Sequence, residues 1–129
     1  MNQHKFPIDV RWGEMDALGH VNNVEYLRYF EAARIDWFAS LGHVIGNPDS
    51  GAVILRADCT YLLSAVYPAA LQVVTQLKRL GNSSFDLTQR LVDKTESTIY
   101  TEAEVTCVWV DRNSQKPIPA PDFIRSLLD

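Results

Sequence analysis

Apolar residues recur at two periods along this 129-residue chain, and the change of period marks its elements. Phe6, Ile8, Val10 and Trp12 alternate with Pro7, Asp9 and Arg11. That is the period of a half-buried strand, and Pro7 places it at a sheet edge or a strand start. The spacing then changes to four, three, four and four, and Tyr26, Phe30, Ala33, Trp37 and Leu41 form one helical stripe. Leu27 and Phe38 widen it, with Arg34 between them, and Val24, Tyr29, Ala32, Ile35 and Ala39 leave little of the circumference polar. Such a helix expects cover on most of its sides. Asn22 or Asn23 can cap its start, because an Asn side chain accepts from the orphan amides of a first turn. Gly42 suits the position just past its end.

A loop over Gly42 to Gly51 follows, then four strand-like runs. The first is Ala52 to Leu63, ending at a break near Ser64 to Pro68. The second turns Leu71, Val73, Thr75 and Leu77 to one face, and Gly81-Asn82 makes the next turn. The third does the same with Phe85, Leu87, Gln89 and Leu91. The fourth carries Ile99, Thr101, Ala103, Val105, Cys107 and Trp109 on one face. Short turns between such runs predict antiparallel meander pairing. Pro117, Pro119 and Pro121 stop any strand, and Pro121 fits the first position of a short helix from Asp122 to Leu128. Strand, long helix, four strands and short helix amount to an α+β architecture in which one antiparallel sheet wraps one apolar helix.

Length and the absence of a low-complexity linker predict a single domain over residues 1–129. A composition 47% hydrophobic and 10% aromatic can build a core, and so apolar a helix in a small domain predicts completion by oligomerisation. The net charge of −4 and the lack of a basic stripe exclude nucleic acid as the expected partner. The N-terminal Met-Asn-Gln-His-Lys has no apolar signal core, and no apolar run reaches membrane length, so the expected setting is cytoplasmic with no membrane partner. Cys59 and Cys107 lie in strand-like runs without a CxxC pattern and read as buried reduced thiols. No His/Cys/Asp/Glu cluster has metal-ligand spacing, and no Gly-x-Ser-x-Gly elbow is present.

The chemistry gathers before the long helix. A helix N-terminus points unpaired amides and positive dipole outward and favours a developing oxyanion. Asp16 stands a few residues upstream, in a turn containing Gly19. A carboxylate held beside an oxyanion-binding helix end supplies two parts needed to attack an acyl carbonyl. On spacing alone, Asp16 reads first as a residue that caps its own turn. His20 reads equally as a turn-holding group and as a proton carrier. His4 and His43 read as bystanders, and Glu31 and Arg34, three apart on the helix, as a structural ion pair.

The stretch Asp16-Ala-Leu-Gly-His-Val-Asn-Asn-Val-Glu-Tyr-Leu-Arg-Tyr-Phe-Glu-Ala-Ala-Arg34 closely resembles the signature of hotdog-fold acyl-CoA thioesterases, the 4-hydroxybenzoyl-CoA thioesterase-like superfamily. Its His-Val-Asn-Asn version resembles the long-chain acyl-CoA branch. Weaker similarity continues through Leu80-Gly-Asn-Ser-Ser-Phe85 and the ending from Asp111 to Pro121. The resemblance implies a hotdog fold, a homodimer or homotetramer, and hydrolysis of acyl-CoA to free acid and CoA, with no cofactor beyond the CoA of the substrate. It implies Asp16 as nucleophile or general base and the backbone amide of Asn23 as the group polarising the thioester carbonyl. The sequence departs from the branch of the superfamily that carries a His where Asn23 stands, which leaves His20 as the nearest acid. Gly19, Asn22, Tyr26, Ser83 and Ser84 are the substrate-contact candidates, with Ser83 and Ser84 toward the pantetheine arm. Lys78, Arg79 or Arg90 would meet the CoA phosphates. The competing readings are an acyl-carrier-protein thioesterase, a hotdog hydratase, and a non-catalytic cystatin-like binding module, whose sheet also wraps a helix.

Overall fold

The long helix, α1, spans Asn23–Ser40 in the computed structural model, which describes residues 2–128. Asn22 caps it, its side chain accepting from the Val24 amide at 3.1 Å. Gly42, at φ +100°, follows the last turn in a conformation that costs glycine least. The predicted stripe is the buried face: Tyr26, Phe30, Ala33 and Trp37 are buried, and Leu41 packs partly against the same core.

Five antiparallel strands curve around that face. β1 is Gln3–Asp9, β2 Ser50–Tyr61, β3 Ala70–Leu80, β4 Ser84–Asp93 and β5 Ile99–Asp111. A short helix, α2, covers Asp122–Arg125 and tightens into a 3₁₀ turn over Ser126–Leu128. The inward residues align across the sheet in rows. Phe6, Val73, Leu91, Thr101 and Tyr61 are successive register partners, as are His4, Thr75, Gln89, Ala103 and Cys59. The faces assigned from period-two alternation in β3, β4 and β5 are the faces buried under α1.

Four expectations need correction. The first strand ends at Asp9, not Trp12: Arg11 starts a 3₁₀ turn over Trp12–Glu14, and Trp12 is 76% exposed. The meander holds for β3, β4 and β5 only. The sheet order is β1-β3-β4-β5-β2, so β2 pairs with β5 at the far edge, and the segment after it returns across the molecule to β3. Pairing β1 with β3 leaves β3 no free edge for β2. Pro121 is the cap of α2 rather than its first residue, with an extended ψ of 164°. Cys107 is buried as expected, but Cys59, on the edge strand, is only half-buried.

Candidate active site

Asp16 sits in a closed loop between Met15 and Val21, which face each other as an antiparallel bridge. The Asp16 amide donates to the His20 carbonyl at 2.7 Å, and the Gly19 amide returns to the Asp16 carbonyl at 3.1 Å. Gly19 takes φ +82°, a value that a side chain would strain. One carboxylate oxygen, Oδ1, accepts from the amides of Leu18 at 2.9 Å and His20 at 3.3 Å. Turn-capping therefore uses only one of the two carboxylate oxygens. Oδ1 fixes the side chain, and Oδ2 has no hydrogen-bond donor among the described residues.

The loop delivers this carboxylate to the start of α1. The Asn22 amide donates to the Glu14 carbonyl and the Val21 amide to the Ala65 carbonyl, both at 2.9 Å, pinning the chain on both sides. The Asn22 side chain satisfies Val24, and the Asn22 carbonyl accepts from Glu25. The Asn23 amide has no acceptor among the described residues. It is a free donor at the positive end of an 18-residue helix.

Asp16, His20, Asn23 and Tyr26 line one open cavity of about 230 Å³, walled by Val21 and by Tyr61 to Ser64 at the end of β2. Two tyrosines frame it. The Tyr26 hydroxyl accepts from the Ala65 amide at 3.0 Å, and the Tyr61 hydroxyl donates to the Asn23 carbonyl at 3.3 Å. Their rings meet edge-on at 5.4 Å. Burial of the Tyr61 phenol raises its pKa, so it stays a hydrogen-bond donor across the working range. Behind the loop, the Tyr29 hydroxyl donates to Glu14 Oε1 at 2.8 Å, and the Arg11 amide meets the same oxygen at 2.8 Å. Glu14 thereby ties α1 to the loop that carries Asp16.

Other candidates fall elsewhere. Ser83 and Ser84 lie at the β3–β4 turn, beside Val108 of β5, whereas the cavity adjoins Tyr61, the partner of Thr101. Thr101 to Val108 is about 23 Å of strand. Lys78, Arg79 and Arg90 each face a carboxylate, Glu104, Asp86 and Glu96, at 2.7, 2.7 and 3.7 Å. The Glu31–Arg34 ion pair does not form. Arg34 Nη1 donates instead to Gln89 Oε1 at 2.9 Å, because the side chain turns inward to the sheet while Glu31 stays on the exposed side. His43 is no bystander in packing: it lies against Trp109 and Phe123, at 4.8 and 5.7 Å between ring centroids, and burial lowers its pKa. Sequence reasoning named Tyr61 only among the bulky residues that could line a pocket and gave no role to Leu62, Leu63 and Ser64. Only the pairing of β2 with β5 brings them to α1. Among the described residues no group of three or more His, Cys, Asp or Glu is placed to hold a metal ion.

The model of the thioesterase-like superfamily matches residues 10–128. This chain belongs to that superfamily. Among curated relatives it is 28% identical to the long-chain acyl-CoA thioesterase FadM of Escherichia coli (strain K12), over 95% of this chain and 94% of FadM. It is 30% identical to the protein YsmA of Bacillus subtilis (strain 168), over 89% of this chain and 78% of YsmA. The solved structure of the PA2801 protein from Pseudomonas aeruginosa superposes with a TM-score of 0.90 at 38% identity, covering 99% of this chain and 98% of that one. The architecture is the hotdog fold, and the enzyme is a thioester hydrolase.

Proposed function

We propose that this thioesterase hydrolyses acyl-CoA at the cavity between the Asp16 loop and the N-terminus of α1. One observation supports the reading: Asp16, with a carboxylate oxygen that has no donor, and Asn23, with a helix-terminal amide that has no acceptor, line the same cavity. The thioester carbonyl oxygen would accept from the Asn23 N–H, where the helix dipole favours the negative charge that develops as the carbonyl is attacked. Asp16 Oδ2 either takes a proton from the attacking water or attacks the carbonyl carbon itself. Collapse of the tetrahedral adduct breaks the C–S bond and releases CoA as a thiolate; in the nucleophilic route water then cleaves the Asp16–acyl anhydride to the free acid and the Asp16 carboxylate. A thiol needs little help to leave, since its ordinary pKa is about 8.5. His20, on the cavity wall, is the group that would return a proton.

The exposed apolar surface supports a dimer. Val53, Ile54 and Leu55 on β2, Leu62 and Leu63 at its end, and Val24 and Leu27 on the adjacent face of α1 are all more than 40% exposed. An uncovered 12-residue edge strand with that surface is a pairing site. Edge-to-edge pairing of β2 with its copy would extend the sheet and bring two α1 helices together. A second chain could then place its own Ser83–Ser84 turn or basic residues near the CoA moiety. A cytoplasmic setting accords with two unpaired thiols.

Free-thiol release from short, medium, long and aromatic acyl-CoAs is the test. Turnover on at least one class is expected, and turnover on none would overturn the reading. Activity confined to acyl-carrier-protein esters would move the assignment to that substrate, and water addition to an enoyl-CoA would make the chain a hydratase. Single turnover in heavy-oxygen water separates the two roles of Asp16. Label in the Asp16 carboxylate means nucleophile, and label only in the product acid means base.

A further inference from the structure

Glu14 stands two residues before Asp16 and grips α1 at two places. Its carbonyl accepts from the amide of Asn22, the residue that caps the helix, at 2.9 Å. Its carboxylate oxygen Oε1 accepts from the hydroxyl of Tyr29, near the end of the second helical turn, at 2.8 Å. Asn22 and Tyr29 are seven residues apart, about 10 Å at the helical rise. A single attachment would let the helix pivot against the loop that carries Asp16. Attachment at two points fixes the direction of the helix as well as its distance.

The same Oε1 accepts from the Arg11 amide at 2.8 Å and so closes the 3₁₀ turn over Trp12–Glu14. Turn-capping accounts for that bond alone. It does not account for the phenol, which reaches the same oxygen from 15 residues along the chain. Tyr29 is buried, and burial, with the Glu14 hydrogen bond next, raises its pKa well above the usual phenol value, so it stays a donor across the working range. Neither Glu14 nor Tyr29 lines the Asp16 cavity. They line a separate groove with Pro7 and Ile8 of β1, at the opposite edge of the sheet from β2. The junction therefore lies away from the edge offered for pairing, and Glu14 can influence the site only through the groups it holds.

We propose that Glu14 is a positioning residue for thioester hydrolysis, holding the Asp16 carboxylate and the Asn23 amide at the separation that attack on the carbonyl requires. The inference rests on the acyl-CoA thioesterase reading. Asp16 follows Glu14 by two residues, and Asn23 follows Asn22 directly, so each group sits beside one of the two attachments. The loop between them closes on itself, through the Asp16 amide to the His20 carbonyl and the Gly19 amide to the Asp16 carbonyl. Those bonds shape the loop without setting its angle to α1. The Tyr29–Glu14 bond sets that angle, because it is made beyond the loop, on the body of the helix. A misplacement of about 1 Å can cost about 10²-fold in rate. Glu14 takes no proton in this scheme: it supplies an acceptor oxygen at the right reach.

The experiment measures kcat and KM on the best acyl-CoA for wild type, Glu14→Ala, Glu14→Gln and Tyr29→Phe at equal concentrations of folded assembly, each with and without Asp16→Asn. Glu14→Ala should lower kcat by about tenfold or more and leave KM within about threefold, since the alignment it loses matters in the transition state. Glu14→Gln should keep kcat within about threefold of wild type, because its amide oxygen can accept from both Arg11 and Tyr29. Tyr29→Phe, which keeps the ring and removes only the hydroxyl, should fall between them. With Asp16→Asn present, none of the three should lower the remaining rate further, as expected of residues that act as a unit. Equal losses with and without Asp16 overturn the inference, since Glu14 then only supports the fold. So does Glu14→Gln as slow as Glu14→Ala, which would make its charge and not its reach the requirement. So does a wild-type kcat in Tyr29→Phe, which tests the bond even where Glu14→Ala does not fold. Each of these leaves the thioesterase reading intact. Hydrolysis of no acyl-CoA by wild type would instead overturn that reading, and the inference with it.

Discussion

Asn22 and Asn23 are neighbours in different states: the first caps the helix with its side chain, and the second lines the cavity with its amide free of an acceptor among the described residues. Asn22→Ala should therefore destabilise the protein by about 1 kcal/mol. In a thermal melt that is a fall of about 3–6 °C. Asn23→Ala should leave turnover close to wild type, because the side chain is not the donor, and a loss of about tenfold or more would show otherwise. Asp86 offers a pH test away from the site. Its hydrogen bond from Arg79, at 2.7 Å, and one from Thr106 hold the carboxyl below its ordinary range. A depressed folded-state pKa contributes stability above the unfolded pKa of about 3.9 and loses it as pH falls through the folded value. Wild type should thus exceed Asp86→Asn in urea stability at neutral pH, and the difference should vanish in acid. At this scale the sequence was informative where neighbours decide: Asp16, Gly19, Asn22 and Asn23 are held by hydrogen bonds and turn geometry within one short segment. It misled at Arg34, because an i,i+3 spacing to Glu31 reports proximity, while Gln89, 55 residues away, offers the anchored acceptor.

α1 is the element on which the sheet closes, and Phe30 shows how tightly. It is 1% exposed, and its carbonyl also receives Gln89 Nε2. Phe30→Ala should cost about 3–5 kcal/mol through lost burial and the cavity left behind. The urea midpoint should fall with little change in slope, which equilibrium unfolding by circular dichroism reads. Helical period alone identified Tyr26, Phe30, Ala33 and Trp37 as the buried stripe, and period-two alternation identified the inward faces of β3, β4 and β5. Strand order was not legible. Alternation records which face of a strand is buried, not which strand lies beside it. The move of β2 to the far edge, which supplies Tyr61 to Ser64 to the cavity, thus left no mark in the local pattern. The break of β1 at Arg11 was hidden for a related reason, since Trp12 continues the alternation but belongs to an exposed 3₁₀ turn.

The described residues leave an apolar surface uncovered along β2 and the adjacent face of α1. β2 alternates little between core and solvent, and Leu55, the extra residue where its register with β5 shifts, is 71% exposed. A second copy across this edge should make light scattering after size exclusion report a dimer or tetramer, with specific activity falling on dilution below the association constant. A fully active monomer would contradict the shared-edge reading. Val53→Glu, which sets a charge on that edge, should weaken association more than it changes the melting temperature of the isolated chain. Free-thiol release by wild type and Asp16→Asn, compared at equal concentrations of folded assembly on the best acyl-CoA, bears most directly on the site. Asparagine can keep the Oδ1 contacts to Leu18 and His20, so the loop should persist, but it is neither a useful base nor a comparable nucleophile. Turnover should drop by about 10²-fold or more with the melting curve nearly unchanged; a variant that retains the wild-type rate would remove Asp16, and the cavity it lines, from the mechanism.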